Sequence, residues 1–416
     1  MTLRAALAVA AATLIACGNS DPQATPATPQ ASQASQTRLA SPQATAAVRP
    51  SFGTSIPGND IEAFALGNLT GQWAFVTARA RSGLGTSVVS DDVTELWAIP
   101  LDAGEPRLAA RYLTTGRGAS SLTNILARQF SPDGKQLLLA VSRPRPAGGS
   151  RSSLVVVDLA SGGIRMIGSD DADSDTDPAW SPDGRRIAYR RVPDPPSLAF
   201  DDGIWVINAD GTGPRRIVAP QQGTATIVYD WTPDSLLVAY AHVFEDATFT
   251  VVDVGTGDRA AFGEYVTSLL AHSWRARGPA LAGAFQPCPR QCAQYILVTA
   301  PRSAERKIVA ETDGDVFLDD VRWHPTRDEV LYRRTAKASE LFVVDLSGTT
   351  SKIPTATDPL RAEWSPSGDE LVYLRMEQGL PLFGSEVRSV RRDGTQERVL
   401  FARDGGLFTD LAVRRY

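Results

Sequence analysis

From about residue 70 onward, apolar residues come in short runs separated by turns rich in Gly, Pro, Asp and Ser, and no stretch keeps a helical period. The runs at 137–141, 187–189, 236–240, 330–332 and 371–373 read as strands. Each follows one punctuation unit: Phe130-Ser-Pro-Asp-Gly134, Trp180-Ser-Pro-Asp-Gly184, Trp231-Thr-Pro-Asp234, Trp323-His-Pro325 and Trp364-Ser-Pro-Ser-Gly368. Trp274 is a degraded member of the same set. Pro at the second turn position and Gly at the fourth suit a tight turn between antiparallel strands. A further apolar run follows at 154–158, 204–207, 249–253 and 341–345, and turns such as Asp210-Gly211 and Asp393-Gly394 lead into a more polar strand. The predicted unit is four antiparallel strands, and the predicted class is all-β.

The aromatic positions 130, 180, 231, 274, 323 and 364 are spaced by 50, 51, 43, 49 and 41 residues. That is the length of one four-stranded blade of a β-propeller. Sets of second to fourth strands fall near 72–113, 135–167, 185–218, 235–262, 279–310, 328–354 and 369–402, which predicts seven blades, with six or eight as the neighbouring counts. The first set lacks its own aromatic-Ser-Pro strand. The period places a missing inner strand near 411, where Phe408-Thr-Asp-Leu-Ala-Val413 lies, so the C-terminal strand is expected to pair into the N-terminal blade and close the ring. Ile61-Glu-Ala-Phe-Ala65 competes for that place.

Trp180-Ser-Pro-Asp-Gly-Arg-Arg-Ile-Ala-Tyr189 and the run 204–211 resemble the TolB-type, WD-like repeat over about 70 to 416. The resemblance implies a propeller of a periplasmic or secreted bacterial protein. It does not imply TolB's role, because the segment before the repeats here is a polar tether rather than an α/β domain.

The first residues change the picture most. Arg4, an apolar stretch at 5–16 and Cys17 make an export signal too short to span a bilayer. Leu14-Ile15-Ala16-Cys17 resembles the bacterial lipobox, which implies cleavage after a signal peptide at 1–16 and acylation of Cys17 with palmitate-type chains. An ordinary secretory signal is the alternative. Residues 17–55 form a lipidated Cys followed by an Ala/Gln/Ser/Thr/Pro tether expected to be disordered, and 56–416 the propeller.

Lys plus Arg number 42 and Asp plus Glu 47, a net charge of −5 that argues against a nucleic-acid partner. Cys288 and Cys292 suit a small-loop disulfide in an oxidising compartment, or stay free thiols; two thiols make a poor zinc site. His242, His272 and His324 sit at different places within their blades and read as structural or surface residues. Asp171, Asp173, Asp175 and Asp177 alternate as oxygen ligands for Ca²⁺ would, though without the Gly and distal Glu of an EF-hand loop; a solvated acidic loop is the alternative. No other cofactor is indicated. No Gly-x-Ser-x-Gly elbow occurs, which argues against a serine hydrolase.

These features point first to a non-catalytic scaffold, lipid-anchored in the cell envelope on its periplasmic or outer face, that binds another envelope protein or a polymer. The insertions at 143–151 and 192–201 would serve as its contact loops. The alternative is a carbohydrate-active or small-ligand-binding propeller with its site in the central channel. A deep channel pocket lined by perturbed acids would favour that alternative.

Overall fold

The computed structural model describes residues 54–55 and 61–416 apart from 81–92, 114–124, 145–149, 169–172, 194–201, 222–224, 244–246, 262–267, 277, 279, 287–292, 302, 304, 314, 378–379 and 404–405. Cys17, Asp171, Cys288 and Cys292 lie outside the described residues, as does most of both insertions. The compact unit runs from Ser51 to Tyr416.

The described chain is all-β, with one short helix at Ile125–Gln129. Four sheets are regular four-stranded antiparallel meanders. Their first strands are Ser174–Trp180, Ala225–Trp231, Ser268–Trp274 and Phe317–Trp323. The strands Gln136–Pro144, Ser150–Asp158 and Ile164–Ile167 form a three-stranded sheet, where Phe130 adds only a single bridge to Leu137. The helix Ile125–Gln129 occupies the place where the other units carry a first strand, a departure from the expected strand.

The last sheet joins both ends of the chain. Gly406–Arg415 pairs antiparallel with Gln72–Ala80 over nine residue pairs from Gly406↔Ala80 to Arg415↔Gln72. Ile61–Ala63 instead pairs on the far side, against Arg107–Leu113. The C-terminal strand therefore lies beside the N-terminal strand Gln72–Ala80 in one sheet.

One turn chemistry recurs because it satisfies its own polar groups. The Ser131 hydroxyl donates to Asp133 Oδ1 at 2.6 Å and accepts from the Gln136 amide at 2.9 Å, while the Gly134 amide donates to the Ser131 carbonyl at 2.8 Å. Ser181 with Asp183 and Thr232 with Asp234 repeat the hydroxyl-to-carboxylate bond at 2.6 Å. The fourth residue needs a left-handed backbone: φ is 73° at Gly134, 71° at Gly184 and 79° at Gly368. His324 replaces the hydroxyl. Its Nδ1 accepts from the Arg327 amide at 3.0 Å, so Nε2 carries the proton and donates to the Gly368 carbonyl at 3.1 Å.

The aromatic that opens each turn packs onto the preceding unit, and this packing builds the core. Trp231 sits with Ala179, Ala188, Ile204 and Val206, and its Nε1 donates to the Ala179 carbonyl at 3.1 Å. Trp180 packs with Leu138 and Leu154, and Trp364 with Leu331 and Leu341. Val413 takes the aromatic's place in the C-terminal strand and joins Val372 and Leu374 of the last unit to Ala74 and Val76 of the first. Each sheet alone would expose an apolar face; stacking on both neighbours buries it.

Candidate functional site

Five of the described first strands carry a register shift shortly before the aromatic residue or Val413, at Val228/Asp230, Leu269/Ala271, Asp319/Arg322, Pro359/Arg361 and Phe408/Asp410. Such bulges re-aim side chains. Three residues before the aromatic, or before Val413, stand Asp177, Asp320, Arg361 and Asp410; one residue before it stand Asp230, Arg322 and Glu363. Asp177 and Asp320 hold left-handed backbone, with φ of 50° and 51°. Charges therefore line the first strands, where a packed sheet would place apolar residues.

Part of this belt is internally paired. Arg322 is 3% exposed, with Nη2 2.9 Å from Asp320 Oδ1, Nε 3.0 Å from Glu363 Oε2 and Nη1 donating to its neighbour Val321's carbonyl at 2.8 Å. Asp320 Oδ2 also accepts from the Ala362 amide at 2.5 Å, tying one unit to the next. Asp410 does the same at the helix, accepting from the Leu126 amide at 2.9 Å. Burial raises the carboxyls of Glu363 and Asp410, against the pull of Arg322 on both.

The other part opens onto a cavity of about 280 Å³, lined among others by Arg128, Asp230, His272, Ser273 and Arg414 and walled by aromatic side chains. Arg128 Nη1 donates to the Val228 and Tyr229 carbonyls, whereas its buried Nε and Nη2 have no partner. Arg414 donates to the Ala127 and Val413 carbonyls and lies over the Phe130 ring, its Cζ 5.0 Å from the centroid. Among the described residues, Asp230 accepts only from the Trp231 amide, at 2.7 Å. Burial pushes its carboxyl up to about 6, although that amide, Arg128 and Arg414 pull the other way. Burial presses the His272 imidazole down to about 3, helped by Arg128 and Arg322, so the ring is neutral; it meets Tyr229 edge-on at 5.2 Å.

Of the alternating aspartates, Asp173, Asp175 and Asp177 are described, and each lies beside an arginine. Asp175 pairs with Arg191 through two bonds, 2.8 Å to Nε and 3.0 Å to Nη2. Asp173 lies 3.9 Å from the same guanidinium, and Asp177 lies 3.8 Å from Arg190. No group of three or more His, Cys, Asp or Glu side chains among the described residues is placed to hold a metal. His324 is the turn residue described above, and the His242 side chain is outside the described set. His272 lines the cavity. Arg128, Asp230 and Arg414 carried no motif. The one available signal was their place in the repeat: Asp230 directly before an aromatic, and Arg128 and Arg414 in the two units that break the pattern.

The sequence matches no family model and no curated protein. Among solved structures it is similar to an oligogalacturonate lyase in complex with manganese, with a TM-score of 0.54 and 11% identity over 80% of this chain and 86% of that one. It is also similar to TolB from Acinetobacter baumannii, with a TM-score of 0.47 and 16% identity over 82% of this chain. The chain spans 66% of that TolB, just under two thirds of its length. A third similar structure is the β-propeller domain of the Trilobed protease from Pyrococcus furiosus, at a TM-score of 0.45 and 13% identity over 65% of this chain and 81% of that one. At these identities the likeness concerns the fold alone.

Proposed function

We propose that this chain is a non-catalytic binding propeller of the bacterial cell envelope, acylated at Cys17, and that its ligand site is the cavity between Arg128 and Asp230. Seven blades form the ring, one of them three-stranded, and Gly406–Arg415 closes it as the inner strand of the first blade. The observation that carries the ligand site is Arg128. A buried cation with two idle N–H groups, beside an aspartate pushed up to about 6, is expensive unless something else fills the space. Small-ligand sites combine apolar walls with a few convergent polar groups, as this cavity does.

The anchoring part is tested by labelling cells with palmitate. The wild-type chain incorporates label and sediments with membranes, and Cys17→Ala does neither; equal labelling of both would refute acylation there. The site is tested by a ligand-observed NMR screen of small aromatic acids, amides and amines against the purified full chain. Hits are expected to compete with one another and to vanish in Ala127→Phe, which fills the cavity. Hits indifferent to Ala127→Phe would place binding elsewhere. A scaffold role toward an envelope protein or polymer is the second proposal. It rests on the connections at 143–151 and 192–201, and a partner captured by the wild type but lost when 194–201 is shortened would support it.

A further inference from the structure

We propose that the cavity is a carboxylate site: a small monocarboxylate docks side-on against Nε and Nη2 of Arg128, and Asp230 takes up a proton as it binds. The inference rests on the cavity being a ligand site and names what that ligand must carry.

The first argument is geometric. A guanidinium offers two parallel N–H groups along its Nε/Nη2 edge, the spacing of the two oxygens of a carboxylate. In Arg128 that is the edge left idle, because Nη1 alone is used by the Val228 and Tyr229 carbonyls. Asp177, Asp230 and Asp410 are near enough to favour its charged form, yet no ion pair joins any of them to it. Among the described residues, nothing pairs with that edge. Arg414 is not a rival, since its guanidinium is engaged with the Ala127 and Val413 carbonyls and the Phe130 ring.

Charge and size narrow the class. One guanidinium edge is open, so one carboxylate can be paired; a second would face ionised Asp230 or, once that is protonated, find no free donor edge. A volume of about 280 Å³ holds roughly nine waters' worth of liquid, room for a ligand of about that many heavy atoms. Phe130, Trp180, Tyr229 and Trp274 give it flat apolar walls. A short or aromatic monocarboxylate fits; a polymer segment fits only by one end.

Proton uptake follows from what faces Asp230. Arg128 on the helix and Arg414 on the C-terminal strand favour its charged form, and His272 from the next unit is neutral. An anion seated on Arg128 cancels the nearer of those cations and adds its own repulsion, so ionised Asp230 and the bound anion oppose each other. Affinity should rise as pH falls from about 8 to below 6, by up to about tenfold per unit.

The test titrates the full chain with benzoate, benzamide and inorganic phosphate by calorimetry, at about pH 5.5 and about pH 8, where benzoate is ionised throughout. Benzoate is expected to saturate, at least tenfold tighter than benzamide or phosphate and at least tenfold tighter at the lower pH. Asp230→Asn should tighten benzoate at the higher pH and flatten its pH dependence. Arg128→Lys keeps the charge but not the paired N–H groups and should weaken benzoate at least tenfold. Benzamide binding as tightly as benzoate would overturn the carboxylate inference and leave the ligand site standing. Phosphate binding more tightly than benzoate would overturn the choice of a monocarboxylate. Benzoate binding that persists in Ala127→Phe would overturn both. The absence of saturable benzoate binding by wild type and Asp230→Asn alike would overturn the carboxylate inference, and the fragment screen would then decide the cavity.

Discussion

Replacing Asp230 by Asn isolates what the cavity costs the fold. Asn keeps an oxygen where the Trp231 amide donates at 2.7 Å and changes the shape little. The carboxyl titrates near 3.8 in an ordinary setting and near 6 here, because burial outweighs the pull of Arg128 and Arg414. At about 1.4 kcal/mol per unit, keeping Asp230 ionised costs about 3 kcal/mol. The sign follows from linkage. A carboxyl whose folded pKa is raised contributes stability that is fully present below about pH 4 and is lost as pH rises through about 6. The wild type should thus lose stability across that window while Asp230→Asn does not. Urea unfolding at several pH values reads the difference directly. The variant should match the wild type near pH 4 and exceed it by about 1–3 kcal/mol near pH 7.5. Comparing the two proteins cancels the titration of Glu363 and Asp410, which share the belt. A variant less stable than wild type near pH 7.5, or a gap of the same size at both ends, would refute the account of the cavity as a place that disfavours charge on Asp230.

Three further substitutions probe the frame around it. Phe408→Ala empties a fully buried site between the first and last units, with Phe401 5.6 Å away, and should cost about 3–5 kcal/mol in urea unfolding; a loss under about 1 kcal/mol would mean the two ends do not share a core. Gly368→Ala combines a φ of 79° with a Cβ that would come within 2.2 Å of the His324 ring, whereas in Gly184→Ala the nearest atom is Pro132 Cδ at 3.5 Å. The second should lose about 1–2 kcal/mol from backbone alone and the first at least about 1 kcal/mol more; equal midpoints would show that the His324 contact is soft. Arg322→Ala strands Asp320 and Glu363 in the interior and should cost about 3–5 kcal/mol, partly recovered by adding Glu363→Gln. No recovery would argue against the carboxylates as the source of the loss.

The repeat was legible because its residues do local work that any copy must do. The Ser-Pro-Asp-Gly turn satisfies its own donors, and the aromatic before it packs onto the unit behind, so both recur at blade length and can be counted. The C-terminal strand was legible for the same reason, one period beyond Trp364. The helix at Ile125–Gln129 was not: five residues carry no period, and it is held partly by Asp410, 284 residues from Leu126. For the alternating aspartates the sequence was equally silent about partners. Spacing shows that carboxylates share a stretch of chain, but Arg190 and Arg191, the cations beside Asp177 and Asp175, come from the neighbouring strand.

The cavity lies where the repeat fails, and the physics of repeats explains why. Positions that match the pattern are committed to turns and to packing between units; Phe130 and Trp180 reach the cavity as its apolar walls. Arg128 comes from the unit whose first strand is a helix. Arg414 follows Val413, which stands where the other first strands carry their turn-opening aromatic, and takes the place that Ser181, Thr232 and Ser365 hold in regular units. His272 and Trp274 come from the unit whose turn has lost its Ser-Pro signature. Three irregular units contribute side chains to one cavity, and Asp230 is the charged contribution of a regular one. A sequence reading of a repeat protein that treats degraded copies as noise therefore discards the positions free to acquire function. Ranking charged residues by how far their unit departs from the repeat would have singled out Arg128 and Arg414 before any coordinates were known.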